Sequence, residues 1–157
     1  MTDPLASLVI ATYRSRPEHL RVAIASALGQ TCTDIEVIVS DDSPDDRLCS
    51  LTTSFGDSRL RYRRNEPARG VARNHWTCFR ETRGEFIAIL NHDDWIAPRF
   101  VDRLTDRLRR SPQAVLAFCD HWLIDEHGHR LQEQSDRTSA IWGRDRLAEG
   151  LHQPFYD

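Results

Sequence analysis

The sequence predicts an α/β fold with a mostly parallel central sheet and helices on both faces. Three observations predict it. Strand-like and helix-like segments alternate from Ser7 to Cys119. The run Phe86-Ile87-Ala88-Ile89-Leu90 is wholly apolar, as expected of a strand buried on both sides. Acidic pairs follow two of the strand-like runs, Asp41-Asp42 and Asp93-Asp94, and ligands of open α/β sheets sit at the carboxyl ends of strands.

The elements follow in order. Ser7 to Ala11 is a short apolar strand. A helix comes next: Ser15 and Glu18 have capping-box spacing, Pro17 lies in the first turn, and Gly29 ends it. Leu20, Ala23, Ile24, Ala27 and Leu28 recur at helical spacing and give it one buried face. Ile35 to Ser40 is a second strand, and a helix runs from Pro44 into Leu48–Leu51. Leu60 to Arg64 is a third strand. Gly70 to Arg83 is a helix with Ala72, Trp76 and Phe79 inward, and Gly84 stops it. After Phe86–Leu90, Pro98 starts a helix with Phe100, Val101, Leu104 and Leu108 inward and Arg99, Arg103, Arg107 and Arg110 in water. Ser111-Pro112 ends it, and Ala114 to Cys119 reads as a further buried strand. Ile124 to His129 reads as a hairpin turn before a polar stretch.

The 157 residues suit one domain, 1–157, with a core of its own. A net charge of -3 gives no electrostatic case for a nucleic-acid partner. All 21 basic residues are arginine, which excludes any mechanism that requires lysine. Cys32, Cys49, Cys78 and Cys119 form no Cys-x-x-Cys pair and read as reduced thiols, in keeping with a cytoplasmic setting. No apolar run approaches the length of a membrane span, so membrane insertion is not expected.

Four segments carry candidate chemistry. Ala11-Thr12-Tyr13-Arg14 leaves the first strand and could wrap a nucleotide with backbone groups, a hydroxyl, an aromatic face and a guanidinium. Asp41-Asp42-Ser43-Pro44 offers carboxylates at a strand tip, and its competing reading is a helix N-cap. Arg69 and Arg73 flank Gly70 at a helix start, where anions are attracted. In Asn91-His92-Asp93-Asp94, carboxylates together with diphosphate oxygens and water would complete the oxygen shell of a hard cation. His92 could add a ligand or a hydrogen bond there. His127 and His129 flank Gly128 and belong to a turn rather than a metal pair.

Taken in order, these segments resemble the N-terminal half of family 2 glycosyltransferases with the GT-A fold. The likeness runs through Leu8–Tyr13, Ser26–Thr31, Asp34–Ser43, Gly70–Asn74 and Arg83–Pro98, and covers roughly residues 5 to 130. It implies a Rossmann-like, nucleotide-diphospho-sugar-binding domain. It implies a nucleotide-sugar donor, most often a UDP-sugar, with Mn2+ or Mg2+. Ala11, Thr12, Tyr13, Arg14, Asp41, Asp42, Arg69, Arg73 and His92 would bind the nucleotide, with Tyr13 near the base and Asp42 bonded to it. Asn91 to Asp93 corresponds to the family's Asp-x-Asp motif, with Asp93 as the metal ligand beside Asp94. Here Asn91 stands where the first motif aspartate often stands, and His92 fills the middle.

The expected function is transfer of a sugar from that donor, metal-assisted and inverting, to a glycan, lipid or protein acceptor that the sequence does not identify. No residue is assigned as the catalytic base, which in the family lies well beyond the Asp-x-Asp segment. Only 63 residues follow Asp94, so the acceptor-binding half is expected to be missing or reduced. The alternative is a nucleotide-sugar-binding module without turnover. A metallophosphoesterase would need a glycine where Leu90 stands, and a receiver domain or a P-loop hydrolase would need a lysine. The sequence leaves the oligomeric state open.

Overall fold

The computed structural model describes residues 3–150. The chain divides into two compact units, residues 1–103 and 104–157. The first contains β1 (Ala6–Thr12), α1 (Pro17–Leu28), β2 (Ile35–Asp41), α2 (Arg47–Thr53), β3 (Leu60–Arg64), α3 (Val71–Glu81), β4 (Phe86–Ile89) and the start of α4 (Phe100–Arg110). The second contains the rest of α4, α5 (Gln132–Ile141) and a 3-10 turn (Arg144–Arg146).

The four strands form a sheet in the order β3-β2-β1-β4. Every pairing in it is parallel. All four carboxyl ends therefore lie on one edge. Strand side chains alternate between the two faces. Leu8, Ile10, Val37 and Val39 pack with Leu20, Ala23, Ile24 and Ala27 of α1 and Leu48 and Leu51 of α2. Val9 and Ile38 point the other way, onto Cys78 of α3. Leu20 and Ile24 are fully buried, and each such side chain contributes about 1.5–3 kcal/mol of burial free energy. The predicted α/β class, parallel sheet and two-sided helix cover are what the structure shows.

Several local expectations change. No capping box forms at α1: Ser15 Oγ donates to the Arg16 carbonyl (3.2 Å), and Pro17 opens the helix with no side-chain cap. The second helix begins at Arg47 rather than Pro44, so neither Asp41 nor Ser43 caps it. The inner face of α3 is Asn74, Thr77 and Cys78, with Phe79 packed against the same cluster as expected, whereas Trp76 is 63% exposed and Ala72 is exposed. Much of this helix is bound to the sheet by side-chain hydrogen bonds, so apolar spacing finds only part of the face.

Strand β4 is not buried on both sides. It is an edge strand in the sheet order, and α3 packs on β1 and β2, which leaves Ile87 and Ile89 46% and 52% exposed. The run Ala114–Cys119 forms no strand, and Val115 is 97% exposed. A strand exists by pairing, and this run has no ladder partner among the described residues.

In the second unit the expected turn is present. Ile124 bridges Arg130 antiparallel, and Asp125 Oδ1 accepts the N–H groups of His127 and His129, both at 2.8 Å. The N–H donated by His129, with the His129 ring and the His127 N–H, outweighs the opposing effect of desolvation and holds the Asp125 carboxyl below the usual carboxylate range.

Candidate functional site

The carboxyl edge of the sheet carries the candidate site. Thr12 ends β1 opposite Asp41, the last residue of β2. The Asp42 N–H donates to the Thr12 carbonyl at 2.9 Å and ties the two tips together. Beyond Thr12 the chain turns through Arg14, whose φ of +50° lies in the left-handed region. The Arg14 N–H donates to Ser43 Oγ (2.8 Å), which links the Tyr13–Arg14 turn to the tip of β2. The Arg14 guanidinium lies 5.2 Å from the Tyr13 ring centroid, and Tyr13 is 52% exposed. Ala11 is half-buried, and Thr12 is buried. Thr12 Oγ1 has no hydrogen-bond partner among the described residues, an uncommon condition for a buried hydroxyl.

Both carboxylates of the first acidic pair are buried and occupied. Asp41 Oδ1 accepts the Ser43 N–H (2.8 Å), the local turn that Asp favours, and Oδ2 accepts the Tyr62 hydroxyl (2.8 Å). Burial and the Asp41 carboxylate together push the Tyr62 phenol well above its ordinary pKa. Asp42 Oδ1 accepts from Asn65 Nδ2 (2.7 Å), and Oδ2 accepts the N–H groups of Arg69 (3.0 Å) and Gly70 (2.7 Å). Gly70 has φ +79°, a conformation that L side chains rarely adopt, and it presents its N–H to Asp42 from there. Asp42 thus fixes the loop that leads into α3.

Asn65 and Asn74 complete this network. Asn65 Nδ2 also lies 2.9 Å from Asn74 Oδ1, and Asn74 Nδ2 donates to the carbonyls of Ser40 (3.0 Å) and Thr12 (3.3 Å). Residue type alone singles out neither asparagine. The one signal in the sequence is the place of Asn74 at the end of Gly70-Val71-Ala72-Arg73-Asn74, directly after the arginine. Arg73 itself is exposed. The Arg69 guanidinium donates to Thr77 Oγ1 (3.2 Å) on the second turn of α3.

The second acidic pair stands at the tip of β4. The Leu90 N–H donates to the Val9 carbonyl (3.0 Å), so Asn91–Asp94 leaves the sheet beside the Ala11–Thr12 tip. The Asp94 N–H donates to the Asn91 carbonyl (3.2 Å), and Asn91 Nδ2 donates to Asp94 Oδ2 (2.8 Å), closing a short turn. Asp93 is exposed and His92 is half-buried. The two acidic pairs share one edge with β1 between them, a lateral offset of about 10 Å at the usual strand spacing. No group of three or more His, Cys, Asp or Glu side chains that could hold a metal ion occurs among the described residues. One exposed carboxylate with a second beside it is still a sufficient protein contribution where phosphate oxygens and water fill the remaining positions of a small divalent cation.

Comparison with known proteins gives this edge a context. The chain is 31% identical over 130 residues to an uncharacterized glycosyltransferase of Rickettsia typhi, covering 82% of this chain and 40% of that protein. It is 34% identical over 113 residues to an Escherichia coli UDP-Glc:alpha-D-GlcNAc-diphosphoundecaprenol beta-1,3-glucosyltransferase, covering 71% of this chain and 44% of that one. The chain therefore spans less than half the length of these relatives. Its fold is similar to the crystal structure of S. aureus TarS residues 1–349 in complex with UDP, with TM-score 0.60 and 22% identity, over 70% of this chain and 32% of TarS 1–349. With the family model matching residues 7–155, the chain belongs to glycosyl transferase family 2.

Proposed function

We propose that the carboxyl edge of the sheet binds a nucleotide-diphosphate sugar, with UDP as the nucleotide, and that the chain supplies the donor-binding part of an inverting glycosyltransferase. One observation above all supports this reading. A buried, hydrogen-bonded frame of Thr12, Asp41, Asp42, Asn65 and Asn74 holds two exposed groups, Tyr13 and Arg73, on the same edge as the exposed carboxylate of Asp93. Tyr13 offers a face for the base. Thr12 Oγ1 is a hydroxyl with spare hydrogen-bonding capacity, and Arg73 carries charge suited to phosphate. The offset between the two acidic tips suits a ligand whose base end and phosphate end engage different strands.

Asp93, with Asp94 and His92 beside it, would hold Mn2+ or Mg2+ through the donor's phosphates. When bound, such a cation offsets diphosphate charge and stabilises the departing nucleotide. The chain's own residues orient the nucleotide and keep the loop from Asn65 to Gly70 in place through Asp42. The acceptor is a glycan, lipid or protein hydroxyl, and the setting is cytoplasmic. No helix among the described residues is long and apolar enough to cross a membrane.

Calorimetric titration with UDP, with and without Mn2+, tests the reading. Asp93→Ala is expected to weaken Mn2+-dependent UDP binding by about tenfold or more, the equivalent of about 1.4 kcal/mol. The metal-free protein should keep its melting temperature, since Asp93 is exposed. Unchanged Mn2+-dependent affinity in Asp93→Ala would refute the site. UDP binding without release of free UDP from any UDP-sugar would favour the non-catalytic binding module.

A further inference from the structure

A second feature of the first unit runs from the end of β3 along α3. Arg63 of β3, Arg69, and Trp76, Thr77, Arg80 and Glu81 of α3 line an open cleft of about 400 Å3. Its charge is unbalanced. Arg63 pairs with Glu81 through Nη1 and donates to Asn65 Oδ1 through Nη2 at 2.8 Å. The Arg63 Nε–H is buried and has no acceptor among the described residues. Arg69 donates to a neutral hydroxyl, Thr77 Oγ1. Arg80 is exposed, and among the described residues no carboxylate pairs with Arg69 or Arg80. Three guanidinium groups thus share one carboxylate.

Burial and the nearby charge of Arg69 make Arg63 a stronger acid than an ordinary arginine, against opposing effects of Cys78 and Asp42, which agrees with a cationic recess. Trp76 is 63% exposed and adds a large apolar ring to the same lining. Guanidinium groups present planar, paired N–H donors that match phosphoryl oxygens, and an aromatic face covers organic groups attached to them.

We propose that this cleft binds a phosphate or diphosphate ester, with Arg69 and Arg80 on its oxygens and Trp76 over the organic group it carries. The cleft borders the strand-tip frame, and two arginines join them: Arg69, with its N–H on Asp42 and its guanidinium on Thr77, and Arg63, with Nη2 on Asn65 Oδ1. The ester could come from a soluble metabolite or from a lipid headgroup, and the chemistry of recognition is the same.

Calorimetric titration of the full chain with inorganic pyrophosphate, at low salt and without metal, tests it. Arg80→Glu is expected to weaken pyrophosphate binding by about tenfold or more, the loss of at least one charge-assisted contact, and to leave UDP affinity unchanged. Saturating UDP with Mn2+ should not displace the pyrophosphate. Trp76→Ala should weaken phenyl phosphate more than pyrophosphate. Co-sedimentation with phosphatidic-acid vesicles, abolished by Arg80→Glu and absent with phosphatidylcholine, would support the lipid source. Pyrophosphate binding without sedimentation would support the soluble source. Pyrophosphate affinity untouched by Arg80→Glu, or no response to either probe, would overturn the proposal. Pyrophosphate binding in a protein that ignores UDP would count against the strand-tip reading alone.

Discussion

Asp42→Asn tests whether the carboxylate of Asp42 holds the loop before α3. Asp42 is 3% exposed and accepts three protein hydrogen bonds, one from Asn65 on Oδ1 and two from backbone N–H groups on Oδ2. Asparagine keeps one oxygen. If that oxygen faces Arg69 and Gly70, the new amide NH2 meets the NH2 of Asn65. Rotating the Asn65 amide would remove its donations to Ser40 Oγ (3.1 Å) and Asn74 Oδ1 and take its own oxygen from Arg63. If the oxygen faces Asn65 instead, two backbone donors lose their acceptor. Either arrangement forfeits at least one bond to a charged group, worth about 1.5–3 kcal/mol, and leaves a buried donor unpaired. The expected loss is about 3 kcal/mol. Guanidinium chloride unfolding followed by far-UV circular dichroism reads it as a lower midpoint at unchanged slope. A loss below about 0.5 kcal/mol, the range of neutral surface changes, would refute the claim that Asp42 organises this loop.

Three further outcomes are expected. Burial raises the pKa of Glu36, but bonds from Ser7 Oγ (2.7 Å), the Arg83 N–H (2.7 Å) and guanidinium, and the charge of Arg61 outweigh it and hold the carboxyl below its ordinary 4.5. A depressed folded-state pKa gives stability that is present above the unfolded value and lost as pH falls through the folded one. Midpoints measured from pH 7 down to pH 3 should therefore fall below about pH 4.5 in the native chain and fall less steeply in Glu36→Gln. A Cβ on Gly84 would stand 2.6 Å from the Ser7 nitrogen and 2.7 Å from the Ala6 carbonyl carbon, so Gly84→Ala should cost about 1–3 kcal/mol by the same denaturant assay. Arg14→Gly removes the left-handed penalty at φ +50°, about 1–2 kcal/mol, and adds chain entropy of about 0.4–1 kcal/mol to the unfolded state. A net gain of about 0.5 kcal/mol is expected, and a loss would mean that the Arg14 side chain is itself structural.

Much of the fold was legible because its core strands are continuous apolar runs. Leu60–Arg64 has the expected bounds, β1 extends one residue further at each end, and β2 extends one residue further at its carboxyl end. What failed was information held by partners distant in sequence. Phe86–Leu90 looks doubly buried, but burial of Ile87 and Ile89 depends on which helix covers them, and α3 lies over β1 and β2. Ala114–Cys119 has strand composition and no ladder partner among the described residues. At the strand tips the residue types were readable and their wiring was not. Asp42 looked like a ligand group or a cap, and its donors are backbone N–H groups 27 and 28 positions away, which no side-chain pattern records. Its place beside Gly70 at a helix start marks Arg69 as an anion contact, and its guanidinium goes to Thr77.

The asparagine pair has a further consequence. Asn74 grips the last residues of two strands from a helix, while Asn65 joins Asn74 to Asp42 and so ties in the intervening loop. The wall behind a docking molecule is then set before anything arrives. Preorganisation of this kind spares the conformational entropy that ordering a loose loop would consume on association. On the proposed reading, selectivity between nucleotides should then reside in the few exposed side chains on that wall, with the backbone serving as a fixed mould.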